Sequence, residues 1–221
     1  MTINFNLILH YLPFLLQGAV NTLYIAAFSC ILGLTGGTLL ALAQTSGNKI
    51  LQYCVSFYVT IIRGTPMLIQ IAFFYYVIVP AVWPSLSPLY SAIIAIGINS
   101  SAYISQVIRS GIASVGKGQI EAAKTLGFGS NQIIRYIVLP QAIRVVLPSL
   151  GNEFITLIKD SSLAYTIGVV ELYKQGITMR TNTLDAFTSY AAVALIYLIM
   201  TTTLSLVMNQ VERKMNAHVK N

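Results

Sequence analysis

This sequence carries little charge. Only 9% of its 221 residues are Asp, Glu, Lys or Arg, while 56% are hydrophobic. A soluble domain of this size carries roughly a quarter charged residues, so the deficit excludes an ordinary water-soluble globule and points to a membrane protein. Cysteine is scarce as well. Cys30 and Cys54 lie in apolar runs with no spacing pattern, which argues against a disulfide framework or thiolate metal site. His10 and His218 stand near opposite ends without co-ligands, too few donors for a metal. No Lys or Arg precedes Lys49, so the N-terminus lacks the basic region of a cleavable leader. Also absent is a G-x-x-x-x-G-K-[ST] stretch: SVGKGQ, from Ser114 to Gln119, has a Gly-Lys pair but neither the spacing nor the hydroxyl residue. The chain shows no internal repeat and no low-complexity segment.

What remains is apolar sequence in runs of membrane-crossing length, about 20 residues each. Thr2 to Asn48 contains no charged residue. Within it residues 17–43 form a first expected span, and Gly33, Gly36 and Gly37 along it suggest a face packed against protein. Gly64 to Ile108 is also free of charge, and VWPSLSP (Val82 to Pro88) divides it into expected spans at 60–82 and 89–108. A broken span is expected over 145–170 and a clean one over 186–211. The fold class is therefore an all-α integral membrane protein with five spans. With the N-terminus outside, Lys49, Arg63, Arg109, Lys117, Lys124, Arg135, Arg144, Arg213, Lys214 and Lys220 fall inside. Only Lys174 and Arg180 fall outside, and Lys159 within the membrane. The bias of basic residues toward the cytoplasmic side favours this orientation and puts the C-terminus inside. It accounts for the net charge of +7 without a nucleic-acid partner.

Between the third and fourth spans lies a polar insert, EAAKTLGFGSNQIIRYIVLP, from Glu121 to Pro140. Ile120, Ala123 and Leu126 share one face of a short helix from Gly118, with Gly127 placed to end it. Ser130 can cap a second helix through Ile133, Ile134 and Ile137, which Pro140 is expected to stop. The result is a hairpin over 117–140, a compact knob with small side chains and one carboxylate, Glu121. It reads either as a docking element for a partner or as an interfacial hairpin with none.

The fourth span is interrupted by Lys159, Asp160, Ser161 and Ser162. Charge in hydrocarbon costs several kcal/mol unless it faces a cavity or a partner. Glu153 precedes Asp160 by two helical turns, which puts both carboxylates on one face, and the serines can satisfy backbone groups freed at a helix break. Two readings stand together. Either these residues line a path in which Glu153 and Asp160 receive an ammonium group and Lys159 or a helix N-terminus a carboxylate, or Lys159 and Asp160 pair to hold the broken helix. Tyr103, Gln106 and Arg109 share a face of the third helix, and either the path or helix packing explains them. Arg63, Gly64 and Pro66 read as an interfacial anchor and helix start, with a gate as the lesser reading. FFYYV, Phe73 to Val77, reads as a packed face.

The residues Glu121, Ala122, Ala123, Gly127, Ile137, Leu139 and Pro140, at their spacing, resemble without a gap the EAA signature of ATP-binding-cassette importer permeases. IIRGTPMLIQ (Ile61 to Gln70), AYISQVIRSGIASVGKGQ (Ala102 to Gln119) and LIKDSSLAYTIGVVEL (Leu157 to Leu172) are similar to segments of the permeases for polar amino acids of the histidine, glutamine and arginine type. The resemblance implies a bacterial inner-membrane transport subunit with no enzymatic chemistry of its own. It implies pairing with a second permease subunit, identical or paralogous, and delivery of substrate by a periplasmic binding protein. It further implies docking of the hairpin (Gly118 included) on cytoplasmic ATPase subunits, which hold the ATP and magnesium while this chain binds no cofactor. Gln106 stands where relatives commonly carry glutamate, which leaves open any role of that carboxylate in substrate choice or gating. The rival reading is a self-sufficient transporter driven by an ion gradient through Glu153, Lys159 and Asp160. A membrane enzyme finds no nucleophile–base pair.

Overall fold

The computed structural model describes residues 3–217; His218 and Lys220 of the basic tail lie outside the described residues. The protein is all-α. Among the described residues four helices are long and apolar enough to cross a membrane, and a pair bent by 105° makes a fifth crossing if it counts as one span.

The first helix, α1 (Phe5–Thr45), starts where the Asn4 side chain accepts a hydrogen bond from the Leu7 N–H. It begins well before the expected 17–43 span. At 1.5 Å per residue it is about 60 Å long, roughly twice the hydrocarbon thickness. The next segment departs most from expectation. Instead of one helix over 60–82, α2 (Lys49–Gly64) and α3 (Met67–Val82) meet at 105°. Pro66 biases Thr65 toward extended backbone, where it is found at φ −120°, ψ 144°. Gln70 then clamps the corner, its Nε2 donating to the Ile62 carbonyl and to Thr65 Oγ1, both at 2.7 Å.

The central helix is α4 (Pro88–Ala113), longer at both ends than the expected 89–108. It lies along the glycine face of α1. A Cβ at Gly33 would sit 2.6 Å from Ser100 Oγ, and one at Gly37 would sit 2.7 Å from Ile104 Cγ2. The absence of side chains there is what lets the two backbones approach. Ile25, Ala26, Ile71, Ala92, Ile96, Leu157 and Ile158 form the main core around this contact.

The hairpin comprises α5 (Lys117–Thr125) and the start of α6 (Ser130–Ile167). Pro140 does not stop the second helix. Residues Ile134–Val138 widen into a π turn, with the Leu139 N–H bonded to the Ile134 carbonyl, and the helix continues through Pro140 to Asp160. The same device recurs in α3, where Phe74–Ile78 form a π turn, Val79 bonds to Phe74, and Pro80 follows. A proline lacks the N–H and crowds the carbonyl four residues back, and a wider turn relieves both problems. Nor is Ser130 the cap. Gly129 holds that position, its N–H donating to Gln132 Oε1 at 2.9 Å.

After Asp160, α6 tightens to a 3-10 helix over Ser161–Ile167 and ends at Gly168, φ +87°. The expected break of the 145–170 span is this change of helix type. Next, α7 (Leu172–Thr183) packs on α1, and α8 (Ala186–Ala217) closes the bundle, starting ahead of a Thr188 N–H that donates to Asp185 Oδ1 at 2.9 Å. Hydrogen bonding from the Thr188 side chain, and then from its backbone, holds the Asp185 carboxyl below its usual range.

Candidate substrate cavity and coupling hairpin

Glu153 and Asp160 line one cavity of about 280 Å³. Its other walls are Asn99 and Tyr103 from α4, Thr156 from α6, and Thr65, Pro66 and Met67 from the α2–α3 corner. Both carboxylates are half-buried, and Ser100 Oγ donates to Glu153 Oε1 at 3.1 Å. The sharp corner is what carries Thr65 to Met67 into the bundle, and a side-chain bond fixes its position: Asn99 Nδ2 donates to Gln70 Oε1 at 2.9 Å. At the end of α2, the Arg63 guanidinium lies 5.3 Å over the Tyr103 ring, a cation–π contact beside the cavity.

Lys159 is not in this cavity. It lines a second one, of about 370 Å³, with Ser162 and residues of α7 and α8. One residue along a helix is a turn of about 100°, enough to send neighbours to opposite sides. Ser161, next after Asp160, lines neither cavity; it is fully buried and donates to the Ile158 carbonyl at 2.8 Å, satisfying the backbone where the helix tightens. Gln106 is held elsewhere again. Its Nε2 donates to Gln44 Oε1 on α1 at 3.1 Å, an oxygen that Arg109 also approaches at 3.5 Å. Of the stripe Tyr103, Gln106 and Arg109, only Tyr103 reaches the Glu153–Asp160 cavity.

In the hairpin, Ala123 is buried with Val115, Ile133 and Val138, and Ile120 and Ile137 pack against them. Leu126 does not join that face. It is 77% exposed, because the helix has already ended there. Gly127 has φ +85°, and the bonds Phe128 N–H to Ala123 carbonyl and Gly127 N–H to Lys124 carbonyl complete a left-handed C-terminal stop. Gly118, Glu121, Ala122, Gly127, Leu139 and Pro140 are all exposed, as are the apolar Phe128, Ile134 and Tyr136. A short polar element thus presents a largely apolar tip.

One residue escaped sequence reasoning altogether. Glu171, between the last two spans, is fully buried and caps α7, accepting from the Tyr173 and Lys174 N–H groups at 2.7 Å each. The Tyr197 hydroxyl of α8 donates to the same carboxylate at 3.0 Å, and Thr22 of α1 accepts from the Leu172 N–H at 3.2 Å. Burial pushes the Glu171 carboxyl up to about 7, against the lowering by those bonds and by Lys174. An acidic residue just after a glycine stop and before an amphipathic run is a helix-cap signal, which could have revealed it.

A family model described as the binding-protein-dependent transport system inner membrane component matches residues 33–217. The chain belongs to that family. It is 39% identical over 206 residues to the glutamine transport system permease protein GlnP of Escherichia coli (strain K12), covering 92% of this chain and 94% of that one. It is 40% identical over 208 residues to the L-cystine transport system permease protein TcyB of Bacillus subtilis (strain 168), covering 94% and 88%. A solved structure described as an amino acid ABC transporter with histidines superposes with a TM-score of 0.90 at 35% identity, covering 97% of this chain and 100% of the other. The permease is thus a multi-pass protein of the bacterial inner membrane, a transport subunit of the ABC amino-acid type.

Proposed function

We propose that this permease carries a polar amino acid inward by alternating access, driven by ATP hydrolysis in a separate chain. The observation that supports this most is the Glu153–Asp160 cavity: two carboxylates, Asn99 and threonine hydroxyls inside a spanning bundle, with no Lys or Arg among its lining residues. Intramembrane carboxylates are tolerated where they meet a cation, and the ammonium group of an amino acid supplies one. Glu153 and Asp160 are the groups that receive it. Ser161 shapes the end of the α-helix beside them, and Gln106 acts at a distance, through the α1–α4 contact.

The hairpin is the coupling element. Its exposed apolar tip, with Glu121 to set register and small residues to permit close seating, docks on a cytoplasmic ATPase subunit that holds ATP and magnesium. With the basic residues inside, the N-terminus lies outside, where a binding protein delivers substrate. A second permease subunit, identical or paralogous, completes the pathway. The names of the relatives, glutamine and L-cystine transporters among them, agree with a polar amino acid as cargo.

Reconstitution tests this. Vesicles containing the chain with its ATPase and binding protein should accumulate amino acid only when ATP is supplied on the ATPase side. Accumulation by the chain alone under an ion gradient would overturn the proposal.

A further inference from the structure

The transport reading leaves the cavity around Lys159 without a task. Lys159 sits in the last α-helical turn of α6, and its exposed side chain shares a cavity of about 370 Å³ with Ser162, Tyr173, Tyr190, Val193 and Ala194. This cavity has no lining residue in common with the one that holds Glu153 and Asp160. Among the described residues no carboxylate lines it. Asp160 faces the other way, and Glu171, the nearest acid on α7, is buried and already takes the Tyr197 hydroxyl and two backbone N–H groups. Among the described residues, Lys159 is therefore the one charged group lining a chamber of hydroxyls and apolar surface.

The walls say what kind of molecule fits. Tyr173 and Tyr190 stack at 6.2 Å with an interplanar angle of 18°, and Tyr165 braces Tyr173 edge-on at 5.0 Å. Below them Val193 and Ala194 lead onto the outer face of α8, where Leu195, Leu198 and Ile199 are more than half exposed. On a spanning helix such a face meets acyl chains wherever a second subunit does not cover it. Depth agrees. Tyr190 lies in the second turn of α8, near its border with the connecting segment, where tyrosines gather at the headgroup level. Lys159 lines the same cavity as Tyr190, and its long stem lets the ammonium reach that level.

A lone ammonium at headgroup depth, flanked by hydroxyl donors and continuous with an acyl-chain surface, matches one ligand chemistry. We propose that the Lys159 cavity binds the phosphate of an anionic phospholipid, whose chain runs down Leu195 and Leu198. The lipid fixes α6 against α8 beside the α7 cap. This needs the chain to span a membrane, but it does not depend on what the chain transports.

The test is native mass spectrometry of the full-length chain in detergent, titrated with phosphatidylglycerol, with phosphatidylcholine and with inorganic phosphate. Phosphatidylglycerol should be retained at one molecule per chain in preference to phosphatidylcholine, and inorganic phosphate should not displace it. Lys159→Gln should weaken retention about fivefold, the equivalent of one surface lysine, and Lys159→Arg should restore it. Ala194→Trp, which fills the cavity and keeps the charge, should also release the lipid, so a folding defect in one variant does not decide the matter. Undiminished retention by Lys159→Gln would overturn the proposal. So would full displacement by inorganic phosphate, which would make the ligand a free anion. A lipid-independent loss of chain–chain association in Lys159→Gln would assign the cavity to a second copy instead.

Discussion

Asp160 and Lys159 are joined by one peptide bond, yet they serve opposite surroundings. Asp160 faces inward with Glu153, in a cavity whose shape depends on the α2–α3 corner and whose lining carries only negative charge. Lys159 faces outward into a chamber of tyrosines beside the apolar surface of α8. The contrast shows that intramembrane charges adjacent in sequence need not form one site. The helical turn between them puts them in two cavities with different linings.

The largest test of that separation is Asp160→Asn. Loss of a charge-assisted contact costs about 1.5–3 kcal/mol, so ATP-driven uptake should fall by one to two orders of magnitude while the chain still assembles. Uptake in vesicles reports the first, and size-exclusion profiles the second. A smaller effect is expected at the cavity's corner. Gln70→Leu removes the clamp on Thr65 and leaves the Asn99 amide without its acceptor, a cost of about 1–3 kcal/mol that thermal unfolding would show. If the unfolding temperature stays unchanged, the 105° corner does not depend on this residue.

The hairpin should respond independently of both cavities. Gly127→Val places a branched side chain at φ +85°, where L-residues cost about 1–2 kcal/mol. Attachment of the ATPase should weaken in pull-down assays, whereas binding of amino acid to the membrane cavity should persist. Loss of both together would mean that hairpin and cavity are not separable.

A subtler effect concerns Glu171. Its carboxyl is raised from 4.5 to about 7, so the protonated form is the one the fold favours. Its contribution to stability is complete below about pH 4.5 and is lost as pH rises through about 7. Glu171→Gln, neutral throughout, should flatten the fall in unfolding temperature between pH 5 and 8. A wild-type slope preserved in that variant would remove Glu171 as its source.

The long apolar helices, the glycine face of α1 and the polar hairpin were legible because each rests on a local pattern: run length, small residues at helical spacing, a glycine stop. The joint between α2 and α3 was not. Pro66 reads equally well as the first turn of a helix, and only Gln70, bonded back across the corner, converts it into a bend. Pro140 misled for a related reason. A proline ends a regular α-helix, but the π turn ahead of it lets α6 continue, and no residue in IIRYIVLP announces that turn. Leu126 fits the buried face by spacing, but the helix ends one residue too early to use it. Lys159 was placed with Asp160 because sequence shows adjacency and not direction, and Glu171 was passed over because Tyr197, whose hydroxyl it binds, is distant in the chain.

The most direct measurement compares Asp160→Asn with Lys159→Gln in the same vesicles, with the ATPase, the binding protein and ATP present. Amino-acid accumulation should collapse in the first and stay within a few-fold of wild type in the second. Equal loss in both would contradict this, because the two charges would then belong to a single site.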